Sequence, residues 1–295
     1  MNYWWVIVNP AAGKPEEVVA RVNQAFAAHG VHGKIHESEH PEHVSEIVAA
    51  GKEAGIRRFA GVGGDGTAHL LLNALMAQEW ERAPGLAILP AGSGSDFVRT
   101  FGLPRSIAGA MPHLASPDWY TADVLEVVGD FGRVYSLNAV EAGVGAAAVG
   151  TAARMPRWVG ERRYAIAFWV TLPRFGWAEV RVTVDGRKRI SGKAIEIVVA
   201  NGQFFGGGMN IAPRASVADG KADIQVFAGP RRKAFSVMPR VVRGLHLNHK
   251  NVQRLVGKSA RVEVPDNWPI EADGELIGHG SISVTVLPAA IEFKI

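Results

Sequence analysis

Arg58-Phe59-Ala60-Gly61-Val62-Gly63-Gly64-Asp65-Gly66-Thr67 passes from a short apolar run into a knot of glycines, and Leu71 and Leu75 follow at helical spacing. The pattern predicts a strand at 58–62 feeding a helix at 67–77 through a tight loop. The same alternation extends outward. Upstream lie a strand at 4–9, a helix at 15–28 with Val18, Val22 and Phe26 four residues apart, a strand at 33–37, and a helix at 41–54 carrying Val44, Ile47 and Val48. Downstream lies a strand at 86–89. Alternating strands and helices predict an α/β domain with a parallel sheet covered on both faces.

Beyond about residue 120 the texture changes to strands separated by Gly-rich turns, at 121–128, 133–141, 178–184, 187–190, 193–200, 223–228, 259–264 and 281–287. Two basic or aromatic helical stretches interrupt them, near 157–172 and 231–247. The expected organisation is an α/β domain over 1–122 and a β-rich, sandwich-like domain over 123–295, with the last strand free to return to the first domain.

The 295 residues are enough for two cores, and the content of 47% apolar and 20% charged residues is that of a globular chain rather than a disordered, collagenous or coiled-coil one. Without cysteine there is no disulfide framework, thiolate metal site or cysteine nucleophile, which points to a reducing, cytoplasmic setting. Met1 to Val8 reads as a first strand without a basic leader. No window holds the ~18 consecutive apolar residues of a membrane span, so any membrane contact is expected to be peripheral.

Net charge is +4, yet Arg231, Arg232, Lys233, Arg240, Arg243, Lys250, Arg254, Lys258 and Arg261 fall between Asp223 and Glu263 with no acid among them. Such a block is a footprint for a nucleic acid, an anionic bilayer or a nucleotide, or else a solvated face balanced elsewhere in the fold.

Open parallel sheets bind ligands beyond the carboxyl ends of their strands. Three loops there are small and lead into helices: Asn9-Pro10-Ala11-Ala12-Gly13-Lys14, Gly63-Gly64-Asp65-Gly66-Thr67 and Pro90-Ala91-Gly92-Ser93-Gly94-Ser95-Asp96. That arrangement aims backbone N–H groups at a phosphate. Gly61-Val62-Gly63-Gly64-Asp65-Gly66 also fits a dinucleotide fingerprint, but it lies in the third βα unit and the next strand ends in Leu89-Pro90 without the ribose-binding acid. Gly257-Lys258-Ser259 imitates the end of a Walker loop, with Val252 where the first glycine belongs. His29, His32, His36, His40 and His43 have no clustered carboxylates to complete a tetrahedral site.

Asp-Gly pairs stand at 185, 219 and 273. The first sits between Val182-Thr183-Val184 and Arg187 and is accounted for by a hairpin turn. Asp219-Gly220 and Glu271-Ala272-Asp273-Gly274-Glu275 bring further carboxylates, which suit a hydroxyl-deprotonating base, a hard cation, or turns alone.

Taken in order, Asn9-Pro10…Gly13-Lys14, Gly63-Gly64-Asp65-Gly66-Thr67, Pro90…Gly92-Ser93…Asp96-Phe97…Arg99, Asn138…Gly143…Gly145, Asn201-Gly202, Pro213…Asp219-Gly220…Asp223 and Asp273-Gly274-Glu275 resemble the diacylglycerol kinase catalytic family of lipid kinases, which includes the sphingosine-kinase-type enzymes. Gly-Gly-Asp-Gly-Thr alone is shared with NAD kinases and phosphofructokinases; the ordered combination with a late Asp-Gly-Glu is more specific. The resemblance implies an NAD-kinase-like or phosphofructokinase-like first domain, a nucleotide in the inter-domain cleft, and transfer of the γ-phosphoryl group of ATP to a lipid hydroxyl such as that of diacylglycerol. It implies ATP contacts at Asn9, Pro10, Ala11, Ala12, Gly13, Ser38, Gly63, Gly64, Asp65, Gly66, Thr67 and Ser93, with Asp65 directed at a Mg2+–phosphate group. It further implies Asp273 as the base and Glu275 as a magnesium or positioning partner. A structural cation is implied at Asp219 and the carbonyls of Ser216 and Lys221, linked to the catalytic centre through Asp123. Two features depart from the family pattern: Ser93 and Ser95 replace Thr and Asn, and Glu141 interrupts a small, apolar stretch.

The alternatives are an NAD kinase and a non-catalytic nucleotide or nucleic-acid binder. From Arg231 to Arg261 the basic block contributes only Phe235 for stacking, so no nucleic acid is expected. A lipid substrate at an anionic membrane surface is expected instead, with Trp158, Trp169 and Trp177 as interfacial aromatics unless they are core. The sequence leaves the acceptor lipid and the oligomeric state open.

Overall fold

The computed structural model describes the chain except for residues 1–2, 10–13, 92–95, 157–158, 161 and 295 and the side chains of 97, 98 and 162. Contacts divide the chain into two units, Met1–Ala122 with Ala289–Ile295, and Asp123–Pro288.

The first unit contains β1 (Tyr3–Val8), α1 (Pro15–His29), β2 (His32–Glu37), α2 (Pro41–Glu53), β3 (Arg58–Gly63), α3 (Asp65–Met76), β4 (Gly85–Pro90), α4 (Asp96–Thr100) and α5 (Ile107–Ala115). Parallel pairing runs β2-β1-β3-β4, and Glu292 and Phe293 add a further parallel strand beside Gly85 and Leu86. Every residue of β4 is buried, as a sheet covered on both faces requires. Val18, Val22 and Phe26 of α1 pack with Trp4, Val6, Val8 and the Ile107, Met111 and Leu114 of α5. Helix α5 lies outside the periodic reading because Gly109 and Pro112 interrupt its pattern; Ser106 caps it by accepting the Gly109 N–H.

The second unit takes up β5 (Tyr120–Gly129) from Asp123 on, then β6 (Gly132–Ser136), β7 (Ala139–Gly143), α6 (Val144–Ala153), α7 (Arg162–Thr171), β8 (Ala178–Val184), β9 (Lys188–Ala200), the two-residue β10 (Phe204–Phe205) and β11 (Met209–Asn210), and β12 (Ala222–Ala228). It continues with α8 (Ala234–Val241), β13 (Val252–Gly257), β14 (Ser259–Glu263), β15 (Pro269–Ala272), β16 (Glu275–His279) and β17 (Ile282–Phe293), whose last residues belong to the first unit. The first half of β9 pairs with β8, which continues to β14 and β17. Its second half lies between β7 and β12, with β15 and β16 beyond β7 and β13 beyond β12. Val182, Val262 and Val284 from the first layer meet Val140, Ile197, Ile224 and Ile270 from the second in one apolar core.

Several boundaries differ from the sequence reading. The strand expected at 133–141 is broken at Leu137-Asn138, where the backbone turns its N–H groups to Asp273. The segments 187–190 and 193–200 form one strand, and the helix expected to reach 247 ends at Val241, with Gly244 in the left-handed region at φ 69°. Helix α6 escaped notice because an Ala/Gly run has no apolar period.

Period-two alternation decides what happens to the acids. Val140, Ala142, Ile197, Ile270 and Ala272 point into the sandwich core. Glu141, Glu196 and Glu271 take the opposite face, and all three are buried.

Candidate functional site

In the first unit, the parallel register aligns the carboxyl ends of β1, β3 and β4, and Asn9, the Asp65–Thr67 turn and Asp96 come together beyond them. Asn9 Nδ2 donates to Thr67 Oγ1 at 3.3 Å, and the Asp96 N–H donates to Asp65 Oδ2 at 3.0 Å. Asp65 opens α3 behind Gly64, its N-cap, and Gly66 and Thr67 complete the first turn. Gly63 is required there, since a Cβ would collide with Thr67 Oγ1. Ser38, at the end of β2, is buried and bonds the Val8 carbonyl through both its N–H and its hydroxyl. Pro10, Ala11, Ala12, Gly13 and Ser93 lie outside the described residues, as does Trp158. The cradle at Gly63 and the amino end of α3 fit a phosphate group.

In the second unit, Asp273 opens the turn between β15 and β16, and its carboxylate reaches back to the break between β6 and β7. Oδ1 accepts from Ser136 Oγ at 2.7 Å, Asn138 N at 2.8 Å and Ala139 N at 3.3 Å, and Oδ2 accepts from Leu137 N at 2.9 Å. Glu275 follows as the exposed first residue of β16, opposite Ala272.

The Asp219 loop connects to this point through buried amides. Asp123 Oδ2 accepts the Gly220 N–H at 2.6 Å, Asn201 Nδ2 donates to the carbonyls of Asp123 and Leu137, and the Asn138 carbonyl accepts the N–H groups of Asn201 and Gly202. A hydrogen-bonded path thus runs from Gly220 to Asp273. Asp219 itself accepts the Lys221 N–H at 3.0 Å, with Ser216 in the same loop. Among the described residues no group of three or more His, Asp or Glu is arranged to hold a metal ion.

Behind Asp273 lies a row of acids that the sequence reading missed as a group. Glu271 sits directly across from Glu141 in the β15/β7 register, and Glu196 across from Gly143 in β7/β9. The Gly145 N–H, at the start of α6, donates to Glu196 Oε2, and the Gly274 N–H donates to Glu271 Oε2 at 2.7 Å. Burial pushes the Glu141 carboxyl up to about 8, and burial with the neighbouring Glu141 charge raises Glu196 and Glu271 well above the ordinary range. The available signal was a glutamate inside each of two apolar strand runs, Ala139-Val140-Glu141-Ala142 and Ile195-Glu196-Ile197.

Glu141 and Glu196 line a partly open pocket that encloses about 590 Å³, open solvent included. Its other walls are mostly apolar, among them Val144, Ile211, Phe227 and Val237, and Lys233 and Asn251 line it as well. The outer sides of α7 and α8 are also apolar: Ile166, Trp169, Val170, Phe235, Val242 and Leu245 are exposed, and Trp169 stacks on Phe235 at 4.9 Å. Arg231, Arg232, Arg240 and Arg243 are exposed around them, and Trp177 is exposed as well.

Residues 3–127 match the diacylglycerol kinase catalytic domain, and residues 138–294 match the YegS C-terminal NAD kinase beta sandwich-like domain. The chain belongs to this family of lipid kinases, and it is a kinase. It is similar to a diacylglycerol kinase of Mycobacterium tuberculosis H37Rv, with 29% identity over 89% of this chain and 82% of that one. A diacylglycerol kinase of Bacillus subtilis 168 is 26% identical over 92% and 89% of the two chains, and the lipid kinase YegS of Escherichia coli K12 is 24% identical over 85% and 82%. A solved diacylglycerol kinase structure from Bacillus anthracis Sterne shares the fold, with a TM-score of 0.72 at 21% identity over 99% and 96% of the chains.

Proposed function

We propose that this kinase transfers the γ-phosphoryl group of ATP to the hydroxyl of a membrane lipid. The observation that carries the reading is the convergence of Asn9, Asp65, Thr67 and Asp96 at the carboxyl ends of three adjacent parallel strands. Phosphoryl transfer asks the protein chiefly to position groups and neutralise charge.

In this reading the first unit handles phosphate and the second handles the acceptor. The lipid oxygen forms a bond to the γ-phosphorus, the bond to the bridging oxygen of ADP breaks, and the hydroxyl proton passes to the Asp273 carboxylate. Ser136 carries one hydroxyl proton and has two acceptors in reach, Asp273 Oδ1 at 2.7 Å and the Ala139 carbonyl at 3.1 Å. Turning that hydroxyl to Ala139 takes one donor off Oδ1, which keeps the N–H groups of Asn138 and Ala139, and makes room for the incoming proton. Asp65 is the residue proposed to hold Mg2+, which supplies neutralisation of the phosphate charge when bound. Asp219, with the carbonyls of Ser216 and Lys221, is proposed to hold a structural cation.

The family supports a lipid acceptor over NAD or RNA. Labelled ATP incubated with a lipid extract, with NAD and with RNA tests the choice: label is expected in the lipid fraction and to require Mg2+. Asp65→Ala should lower turnover ~10²–10³-fold while the fold survives; wild-type turnover in the folded variant would sink the assignment.

No helix among the described residues is long and apolar enough to cross a membrane. We assign membrane contact to the exposed aromatics of α7 and α8 and to Arg231, Arg232, Arg240 and Arg243 in and beside α8, because each cation near an anionic surface contributes ~1 kcal/mol within a Debye length. Charge reversal at Arg231 and Arg232 should weaken binding to anionic vesicles roughly tenfold or more at low salt and leave ATP affinity unchanged. Equal wild-type binding to neutral and anionic vesicles removes this contact.

A further inference from the structure

We propose that Phe293, at the end of β17, is a positioning residue for the phosphate site of the first unit, acting through Phe101 on α4 and so on Asp65. The inference deepens the kinase reading and rests on it for the role of Asp65.

The last residues of β17 sit beside both elements that flank the loop between Pro90 and Asp96. On the β4 side, Phe293 pairs with Leu86, and the Glu292 and Lys294 N–H groups donate to the carbonyls of Pro84 at 2.9 Å and Leu86 at 3.0 Å. On the α4 side, the fully buried Phe293 ring lies 4.5 Å from that of Phe101, the residue that follows α4. Phe101 also meets Tyr120 edge-on, with ring centroids 6.0 Å apart.

Helix α4 carries the contact onward. The Gly102 N–H donates to the Arg99 carbonyl at 3.1 Å, Arg99 Nη1 donates to Asp96 Oδ1 at 3.3 Å, and the Asp96 N–H fixes Asp65 Oδ2 at 3.0 Å. Five residues make little more than one turn, too few to hold a helix by their own hydrogen bonds. Its placement therefore depends on what its ends touch, and Phe101 is the contact at the carboxyl end.

The strand end is itself anchored. Lys294 Nζ donates to the carbonyls of Ser116 and, at 2.6 Å, Asp118, and it lies 4.4 Å from the centroid of the Trp119 ring, which stacks on the buried Trp4. Arg57 pairs with Glu292 at 3.4 Å. Of the two partners, Phe101 is thus the one free to shift when ring volume is removed, since a core closes only part of the space left behind. A shift there moves Asp96 and with it the orientation of Asp65, and a misplacement of about 1 Å away from the chemistry can cost ~10²-fold.

The test is calorimetric titration of the full chain with ATP and Mg2+, together with initial rates at varied ATP and varied lipid. The variants are Phe101→Leu, Phe293→Leu, their combination, and Phe26→Leu. Phe26 is a buried ring in the core that α1 shares with α5, so it reports lost packing alone. Phe101→Leu and Phe293→Leu should each weaken nucleotide binding and lower kcat/KM for ATP about tenfold, with KM for the lipid unchanged. The combination should lose no more than either single variant, because both act through one contact. Phe26→Leu should bind and turn over like the wild type below its melting temperature.

If Phe293→Leu does not fold, as judged by its thermal transition, Phe293→Met replaces it with the same expectation. Wild-type nucleotide affinity in the Phe101 and Phe293 variants overturns the inference, as does an equal loss in Phe26→Leu or full additivity in the combination. Weakened nucleotide binding in both single variants, with no lipid phosphorylated by the wild type, keeps this role of Phe293 and defeats the lipid-kinase reading instead.

Discussion

The second unit contains two Asp-Gly turns that are alike in backbone and unlike in setting. Asp185-Gly186 joins β8 to β9 and Asp273-Gly274 joins β15 to β16. Both pairs lie in the left-handed region, at φ 50° and 68° and at φ 52° and 90°, as the central residues of such tight turns require. Each carboxylate also staples a neighbouring segment. Asp185 Oδ1 accepts the N–H groups of Lys258 at 2.8 Å and Ser259 at 3.0 Å, much as Asp273 gathers Ser136 to Ala139. The two differ in surroundings: Asp185 is exposed, whereas the strand leading into Asp273 carries the buried Glu271, with Glu141 across from it. A turn aspartate can therefore hold the fold together and still be poised for chemistry, and conformation alone does not separate the two cases.

The largest expected effect separates them by substitution. Asp273→Asn should slow lipid phosphorylation at least ~10²-fold, and Asp185→Asn should leave it unchanged. Asparagine is as good a turn residue as aspartate, but at 273 its amide would face N–H donors, so a loss of about 1–3 kcal/mol of stability is expected as well. Turnover is therefore compared well below the melting temperature of the variant, with ATP binding measured alongside. A folded Asp273→Asn with unchanged turnover reduces Asp273 to a staple of the same kind as Asp185.

The contrast shows what the sequence made legible. Apolar spacing revealed the alternation of the first unit because each of its strands and helices buries a locally continuous pattern, such as Val18, Val22 and Phe26. The Gly63–Thr67 loop was equally plain, since glycine tolerates the close approach of Thr67. The β15/β16 hairpin was not, because Pro269-Ile270-Glu271-Ala272 is short and mixes a proline and an acid into its only apolar positions. Nor were the donors to Asp273, which come from residues more than 130 positions away. Alternation alone would send Glu141, Glu196 and Glu271 to solvent; the cover supplied by α6 is a tertiary fact with no local signature.

A smaller effect sharpens the comparison at the hydroxyl next to each turn. Ser136 Oγ donates to Asp273 at 2.7 Å, but Ser259 Oγ reaches Asp185 only at 3.5 Å. Ser136→Ala should cost about 1 kcal/mol of stability and reduce turnover severalfold, because Asp273 loses a donor that can turn away from it. Ser259→Ala should change neither. Equal effects of the two substitutions would mean that Ser136 contributes packing alone, and they would be read from melting curves and initial rates on the same preparations.

The smallest effect is a pH dependence that only the Asp273 side of the comparison possesses. Glu141 rises from 4.5 to about 8 in the folded chain, and Glu196 and Glu271 are also raised well above 4.5, by burial and by the Glu141 charge. The folded protein thus keeps protons that the unfolded chain has released. Their contribution is fully present below about pH 4.5, declines as pH increases, and for Glu141 is lost by the time pH passes about 8. His36, His246 and His249, lowered mainly by burial, act with the opposite sign, but only through the range in which an unfolded histidine titrates near 6.5. Between pH 7 and 8.5 the glutamates therefore dominate, and the melting temperature should fall with rising pH. Glu141→Gln removes one of the retained protons and should flatten that decline, whereas Asp185→Asn should displace the whole curve without changing its slope. A Glu141→Gln slope equal to that of the wild type would show that Glu141 is already ionised in the fold, and the distinction between the two turns would then rest on the hydroxyl chemistry alone.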